Sequence, residues 1–213
     1  WNNLNDEVFD NYVAKTAEIG KTPGKLKIVY TAMHGVGLET IEAVFKKAGF
    51  NPPILVEEQV QPDPDFPTVA FPNPEEPGAI DLSLAKAKAV GADLVIANDP
   101  DADRCAAAIN DPKHGWRMLQ GDEIGILLGD WIARTNNGNY GNSIVSSSGL
   151  SKICEHYGRN FRETLTGFKY LAQIPNLAFA YEEAIGYSVD SPTVADKDGV
   201  SAAIALAQLA EEL

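Results

Sequence analysis

Three acidic residues at alternate positions, Asp99, Asp101 and Asp103, lie between two apolar, strand-like runs, residues 94–97 and 105–109. Folding alone gives no reason to gather three like charges so closely, because their repulsion costs free energy unless a cation neutralises it. Carboxylate oxygens are hard ligands, so the cation to expect is Mg²⁺, which keeps positions open for a phosphate oxygen. Arg104 comes next in the chain, and a guanidinium can grip the same phosphate from the other side.

Competing motifs fail residue by residue. An EF-hand loop also begins Asp-x-Asp-x-Asp, but it needs Gly at its sixth position and Glu at its twelfth. Arg104 and Asn110 stand there. A haloacid-type phosphatase places Thr or Val two residues after its second Asp, whereas here that residue is Asp103 or Cys105, depending on the frame. An Asp-rich surface turn is the remaining simple reading, and Pro100 is turn-like. The strand leading in and the strand leading out argue against it.

With these residues in view, a resemblance becomes specific. Asp-Pro-Asp-Ala-Asp-Arg at 99–104 resembles the metal loop of the α-D-phosphohexomutases, the phosphoglucomutase and phosphomannomutase family. Residues 29–37 (Val-Tyr-Thr-Ala-Met-His-Gly-Val-Gly) resemble the strand and turn that open the family's second domain. Residues 166–169 (Thr-Gly-Phe-Lys), 181–187 (Tyr-Glu-Glu-Ala-Ile-Gly-Tyr) and 196–199 (Asp-Lys-Asp-Gly) resemble loops of its third domain, the second being the sugar-selecting loop.

The resemblance implies an α/β fold of two consecutive three-layer α/β domains. A helix at 1–20 would precede a metal-loop domain at 21–121 and a sugar-binding-loop domain at 122–213. It further implies interconversion of sugar 1-phosphate and 6-phosphate through an enzyme phosphoserine and a bisphosphorylated sugar. Asp99, Asp101 and Asp103 would hold Mg²⁺. Arg104 and Lys197 would be catalytic, and Glu183, Gly186, Tyr187, Gly167 and Lys169 would bind the sugar phosphate. The family's phosphoserine loop and its Arg-x-Ser-Gly-Thr phosphate loop belong to domains I and IV, and neither motif occurs among these 213 residues. The serine-rich stretch 146–148 lacks the His-Asn context of the former. The chain by itself is therefore expected to be inactive.

Two departures stand out. The family's commonest sugar loop, Gly-Glu-Met-Ser-Gly-His, uses Glu and Ser on the sugar, but Ile185 and Tyr187 occupy the Ser and His positions here. This version resembles the branch that includes phosphopentomutases, which leaves glucose, mannose and pentose phosphates open. Lys197 is flanked by Asp196 and Asp198, which favour its charged form and disfavour a base role. Lys169 either reaches the same region or solvates the first turn of a helix. His34, just before the two glycines of a strand-to-helix turn, reads as a structural histidine, since Gly-x-Gly alone is a weak phosphate signal. Two other classes remain at this level: a non-catalytic sugar-phosphate or metal-binding module, and a phosphatase using the aspartate loop directly.

Around these residues the chain alternates strand and helix. Apolar runs at 26–30, 54–56 and 94–97 read as strands, with helices at 38–48 and 82–90 capped by Gly49, Asp81 and Gly91. Residues 61–78 carry six prolines and read as a passive irregular loop. A hairpin is expected across 105–119. In the second unit, helices are expected near 124–132, 150–157, 168–174 and 199–213, with strands at 143–147, 161–165 and 177–181. No internal sequence repeat is visible.

Hydrophobic residues make up 45% of the 213, enough for a sizeable core. No apolar run is long enough to span a bilayer, and none reads as a signal peptide, so no membrane partner is expected. The net charge of -13 argues against a nucleic-acid surface. Two cysteines, Cys105 and Cys154, make no disulfide framework, and the expected setting is a reducing cytoplasm. Both ends fall inside helical patterns (Leu4, Val8 and Tyr12; Val200, Ala203, Ile204 and Ala207), so the sequence reads as a piece of a longer protein.

Overall fold

The computed structural model describes residues 5–213, so Leu4 of the first helical stripe lies outside the described residues. Helix α1 (Glu7–Ala17) buries Val13, Thr16 and Ala17 and leaves Val8 exposed. The stripe through Val8 is thus not the main packing face, because α1 lies against two other helices that select a neighbouring face.

The first sheet contains β1 (Ile28–Thr31), β2 (Ile54–Leu55), β3 (Leu94–Asn98), β4 (Cys105–Asp111) and β5 (Gly115–Met118), in the order β2-β1-β3-β4-β5. The first three strands are parallel; β4 and β5 add on antiparallel. Helix α2 (Leu38–Ala48) joins β1 to β2, and α3 (Asp81–Val90) joins β2 to β3. These crossovers run in opposite directions along the sheet, so right-handed connections put α2 and α3 on opposite faces. Strands β1 and β3 are buried at every residue, which is why they read as unbroken apolar runs. Gly49 and Gly91 end their helices in left-handed geometry as expected. Asp81 is the first helical residue of α3 rather than its cap, where its charge still suits the helix dipole.

Helix α4 (Gly121–Ala133) opens the second unit, in which β6 (Asn139–Ser143), β7 (Asn160–Thr164), β8 (Leu177–Glu182) and β9 (Gly186–Ser188) form a sheet of order β7-β6-β8-β9. Only β9 is antiparallel. Helices α5 (Gly149–Tyr157) and α6 (Phe168–Leu171) connect the parallel strands. Both sheets therefore follow one plan: the third strand in chain order is interior and turns back into an antiparallel neighbour, β3 into β4 and β8 into β9. The repeat absent from the sequence is present in the topology.

Two expected boundaries move. Strand β6 lies at 139–143 instead of 143–147: the polar residues Asn142 and Ser143 are buried in the sheet, while Ile144 and Val145 project outward, 56% and 59% exposed. Helix α6 stops at Leu171, and Ile174 joins Phe168 and Leu171 in a small separate core.

Helix α7 (Gly199–Glu212) is buried along Gly199 to Leu209, mostly apolar, with Ser201 and Gln208 as its buried polar residues. It packs against β3 and β4 of the first sheet, β9 of the second, and α1, α2 and α4. One hydrophobic cluster consequently runs from Val13 through both sheets to Leu209. Among the described residues no helix is long and apolar enough to cross a membrane. Cys105 and Cys154 are free and buried, and burial pushes both thiols up, Cys154 to about 11. Neither is expected to react with iodoacetamide at pH 8 in the folded protein, while both should label in denaturant; native labelling read by mass spectrometry would contradict this.

Candidate functional site

The aspartate loop leaves the carboxyl end of β3, the interior strand, which is where open α/β sheets present their ligands. Asn98 staples it shut. Its Oδ1 accepts the Tyr30 hydroxyl at 3.0 Å, and its Nδ2 donates to the Arg104 carbonyl at 2.6 Å. Asp99 Oδ1 accepts the Arg104 N–H at 3.0 Å, and Ala102 takes a left-handed turn at φ +59°. Asp99, Asp101 and Asp103 each offer a carboxylate oxygen, all within 4.8 Å of one another, the only such acidic group among the described residues.

Burial pushes the Asp99 carboxyl up to about 6; the Arg104 N–H opposes that shift, and Asp103 and Asp101 add to it. The Arg104 guanidinium stands 3.6 Å from Asp99 and 3.8 Å from Asp103. Three converging hard oxygens, one of them buried and under-neutralised, fit a divalent cation such as Mg²⁺.

Lys197 reaches this loop from the second unit, its Nζ 2.6 Å from Asp103 Oδ2. Burial lowers the Lys197 ammonium, but Asp103 and Asp196 outweigh it and hold it above its ordinary value. Asp198, expected beside Lys197, points elsewhere. It caps α7 through the Val200 N–H at 3.1 Å and accepts the Tyr12 hydroxyl at 2.9 Å. Together with Val36, Tyr12, Asp101 and Asp103, these residues line a cleft of about 720 Å³.

The β8–β9 turn carries Glu183 and Ile185. Cys105 donates its N–H to the Ile185 carbonyl at 3.0 Å, so this turn touches the chain directly after Arg104. Glu183 is half-buried, and its Oε2 lies 3.0 Å from Ser143 Oγ and 2.9 Å from Ser146 Oγ. A Cβ at Gly121 would fall 1.8 Å from the Glu183 carbonyl, so the start of α4 approaches this turn as only glycine allows.

Residues 9–115 match the family description "Phosphoglucomutase/phosphomannomutase, alpha/beta/alpha domain II", and residues 120–213 match the corresponding domain III. The chain belongs to the phosphoglucomutase/phosphomannomutase family. It is 49% identical to a Haemophilus influenzae protein named "Probable phosphomannomutase", over 99% of this chain and 44% of that one. It is 44% identical to a mouse phosphopentomutase, over 89% of this chain and 34% of the relative. The chain thus spans less than half the length of these relatives. A Burkholderia thailandensis family member shares the fold at TM-score 0.78 and 21% identity, covering 97% of this chain and 44% of that one. An Aspergillus fumigatus N-acetylphosphoglucosamine mutase, solved with GlcNAc-6P and magnesium, matches at TM-score 0.66 and 15% identity, covering 96% and 50%.

Within this family fold, the metal-loop residues, Arg104 and Lys197 come together directly, and Glu183 and Gly186 adjoin them. Gly186 is buried beside the Lys197 side chain, where a Cβ would lie 3.0 Å from Lys197 Cδ. Tyr187 does not belong with them. It is 0% exposed, and its hydroxyl donates to the Gly121 carbonyl at 3.1 Å, so it holds α4 instead of facing a substrate. Gly167 donates its N–H to Glu182 Oε1 at 2.6 Å, which fixes the loop but leaves no donor there for a phosphate. Lys169 is exposed over the Tyr170 ring, 5.1 Å from its centroid, and makes no ion pair among the described residues.

His34 is structural, as expected: buried at φ +60°, it meets Thr68 Oγ1 at 2.8 Å. The proline-rich loop is not passive, however. Gln59 also donates to Thr68, Asp63 donates its N–H to the His34 carbonyl, and Val36 donates to the Pro100 carbonyl at 2.9 Å. The loop therefore buttresses the turn that supports the aspartates. Burial raises the Glu75 carboxyl, with Arg104 lowering and Glu183 raising it, so this loop residue shares the electrostatics of the site. Asn98, Ser143, Ser146 and Tyr12 carried no local motif. A buried polar residue directly before the aspartates was the one available signal, at Asn98.

Proposed function

We propose that this chain supplies the metal-binding and sugar-binding domains of a phosphohexomutase that interconverts sugar 1-phosphate and 6-phosphate by way of an enzyme phosphoserine and a bisphosphorylated sugar. The supporting observation is the contact of the aspartate loop with the second unit, through Lys197 and Asp103 and through Cys105 and Ile185, the latter in the turn that carries Glu183. Asp99, Asp101 and Asp103 would hold Mg²⁺, which supplies Lewis-acid polarisation of a phosphoryl oxygen. Arg104 lies beside the triad with its side chain 37% exposed, suited to grip a transferring phosphoryl group. Lys197 remains charged, so it binds phosphate or a sugar hydroxyl and does not act as a base. Glu183 accepts a sugar hydroxyl. The phosphoserine and the distal phosphate loop belong to family domains I and IV, beyond this chain, and the setting is cytoplasmic.

A pentose phosphate is the second reading. Ile185, in the place of the family's sugar-binding serine, is 0% exposed and offers no hydroxyl, and one relative is a phosphopentomutase. Conversion of glucose 1-phosphate, mannose 1-phosphate and ribose 1-phosphate by the full-length enzyme with Mg²⁺ tests both readings and names the substrate. The 213-residue chain alone is expected to show no turnover; measurable mutase activity from it would refute the assignment of the nucleophile to another domain.

A further inference from the structure

We infer that Ser143 and Ser146 are positioning residues for Glu183, engaging one carboxylate oxygen so that the other alone addresses the sugar. The inference rests on the sugar-phosphate reading of the site.

Ser143 ends β6, and Ser146 lies in the turn before α5. Both hydroxyls approach the same Glu183 oxygen, Oε2, and they lie 2.7 Å from each other. The Glu183 N–H donates to Ser146 Oγ at 3.1 Å. Each hydroxyl has one proton to give. Either both donate to Oε2, or one donates to the other, which then donates to Oε2. In every arrangement Ser146 accepts the Glu183 backbone N–H, and in two of the three it also donates to the Glu183 carboxylate. No donor reaches Oε1 among the described residues.

The serine turn is itself anchored. Asp122 Oδ1 accepts the Ser147 N–H at 2.6 Å and the Tyr181 hydroxyl at 2.9 Å, while Asn142 Nδ2 donates to the Ser147 carbonyl at 2.7 Å. Helix α4, β6 and β8 thus hold the turn from three sides, and the carboxylate is preorganised before substrate arrives. With Ile185 buried, the sugar meets one acceptor oxygen rather than a carboxylate and hydroxyl pair. Such a site recognises one ring hydroxyl, which suits phosphorylated aldoses of more than one ring size.

The test compares Ser146→Ala, Ser146→Thr and Ser143→Ala in the full-length enzyme on glucose 1-phosphate and ribose 1-phosphate. Ser146→Ala should raise KM for both sugars roughly tenfold, the scale of a lost hydrogen bond to a charged group, with the melting temperature retained. Ser146→Thr, which keeps the hydroxyl, should return KM to within threefold of wild type, and Ser143→Ala should show a smaller rise. Unchanged KM in both alanine variants of an active enzyme overturns the inference, as does a Thr variant no better than Ala. A wild-type enzyme that converts none of glucose 1-phosphate, mannose 1-phosphate and ribose 1-phosphate overturns the functional reading beneath it.

Discussion

Asp101→Asn is expected to weaken Mg²⁺ binding to the chain about 100-fold or more and to lower kcat of the full-length enzyme about 1,000-fold. Asp101 is exposed and makes no ion pair among the described residues, so its removal leaves the metal-free fold intact. What is lost is one of three convergent carboxylates. A 100-fold change corresponds to about 2.7 kcal/mol, and a Lewis acid at a phosphoryl oxygen contributes several kcal/mol. Calorimetric titration with Mg²⁺ reads the first effect and a coupled mutase assay the second. Affinity within threefold of wild type would place the cation away from the triad. The metal-free melting temperature should not fall, because the substitution also relieves like-charge repulsion around Asp99.

Gly199→Ala should destabilise the protein at the contact between α7 and the aspartate loop. A Cβ there would lie 2.2 Å from the Arg104 carbonyl, 2.6 Å from the Ala102 carbonyl and 2.5 Å from Asn98 Nδ2. Two of these are backbone atoms, so relief requires the start of α7 to retreat from the aspartate loop, breaking the hydrogen bond from the Gly199 N–H to the Ala102 carbonyl. Overpacking of this kind costs about 1–3 kcal/mol. For a chain of this length each kcal/mol lowers Tm by roughly 2–4 °C. Retreat of α7 also draws Lys197 from Asp103, so Mg²⁺ affinity should change along with Tm. A variant that melts like wild type would show that the loop and helix are not in close contact.

Legibility followed sequence distance. The aspartate loop spans six residues, and its charge repulsion is a local fact that no tertiary context can hide. The buried strands β1 and β3 read correctly because burial on both faces leaves an unbroken apolar run. The same rule misplaced β6, where buried polar residues form the strand and the apolar pair Ile144 and Val145 faces solvent. Tyr187 matched a binding position in the loop pattern, yet its ring lies in the core. Pattern supplies the position in a loop but not the direction in which a side chain points.

By itself the sequence determined the α/β class, the carboxylate triad, the glycine-terminated helices and, through motif order, family membership. Those are properties of neighbouring residues: spacing, charge density and backbone conformation. Only the tertiary structure decided that Lys197 meets Asp103, that Tyr12 anchors Asp198 across 186 residues, and that two serines hold Glu183. It also revealed that both chemical loops occupy the same place in a repeated strand plan, each at the turn from an interior parallel strand into an antiparallel one. The physical reason is that a hydrogen bond or ion pair depends on distance in space, and helix α7, packed between the two sheets, brings these distant segments within bonding reach.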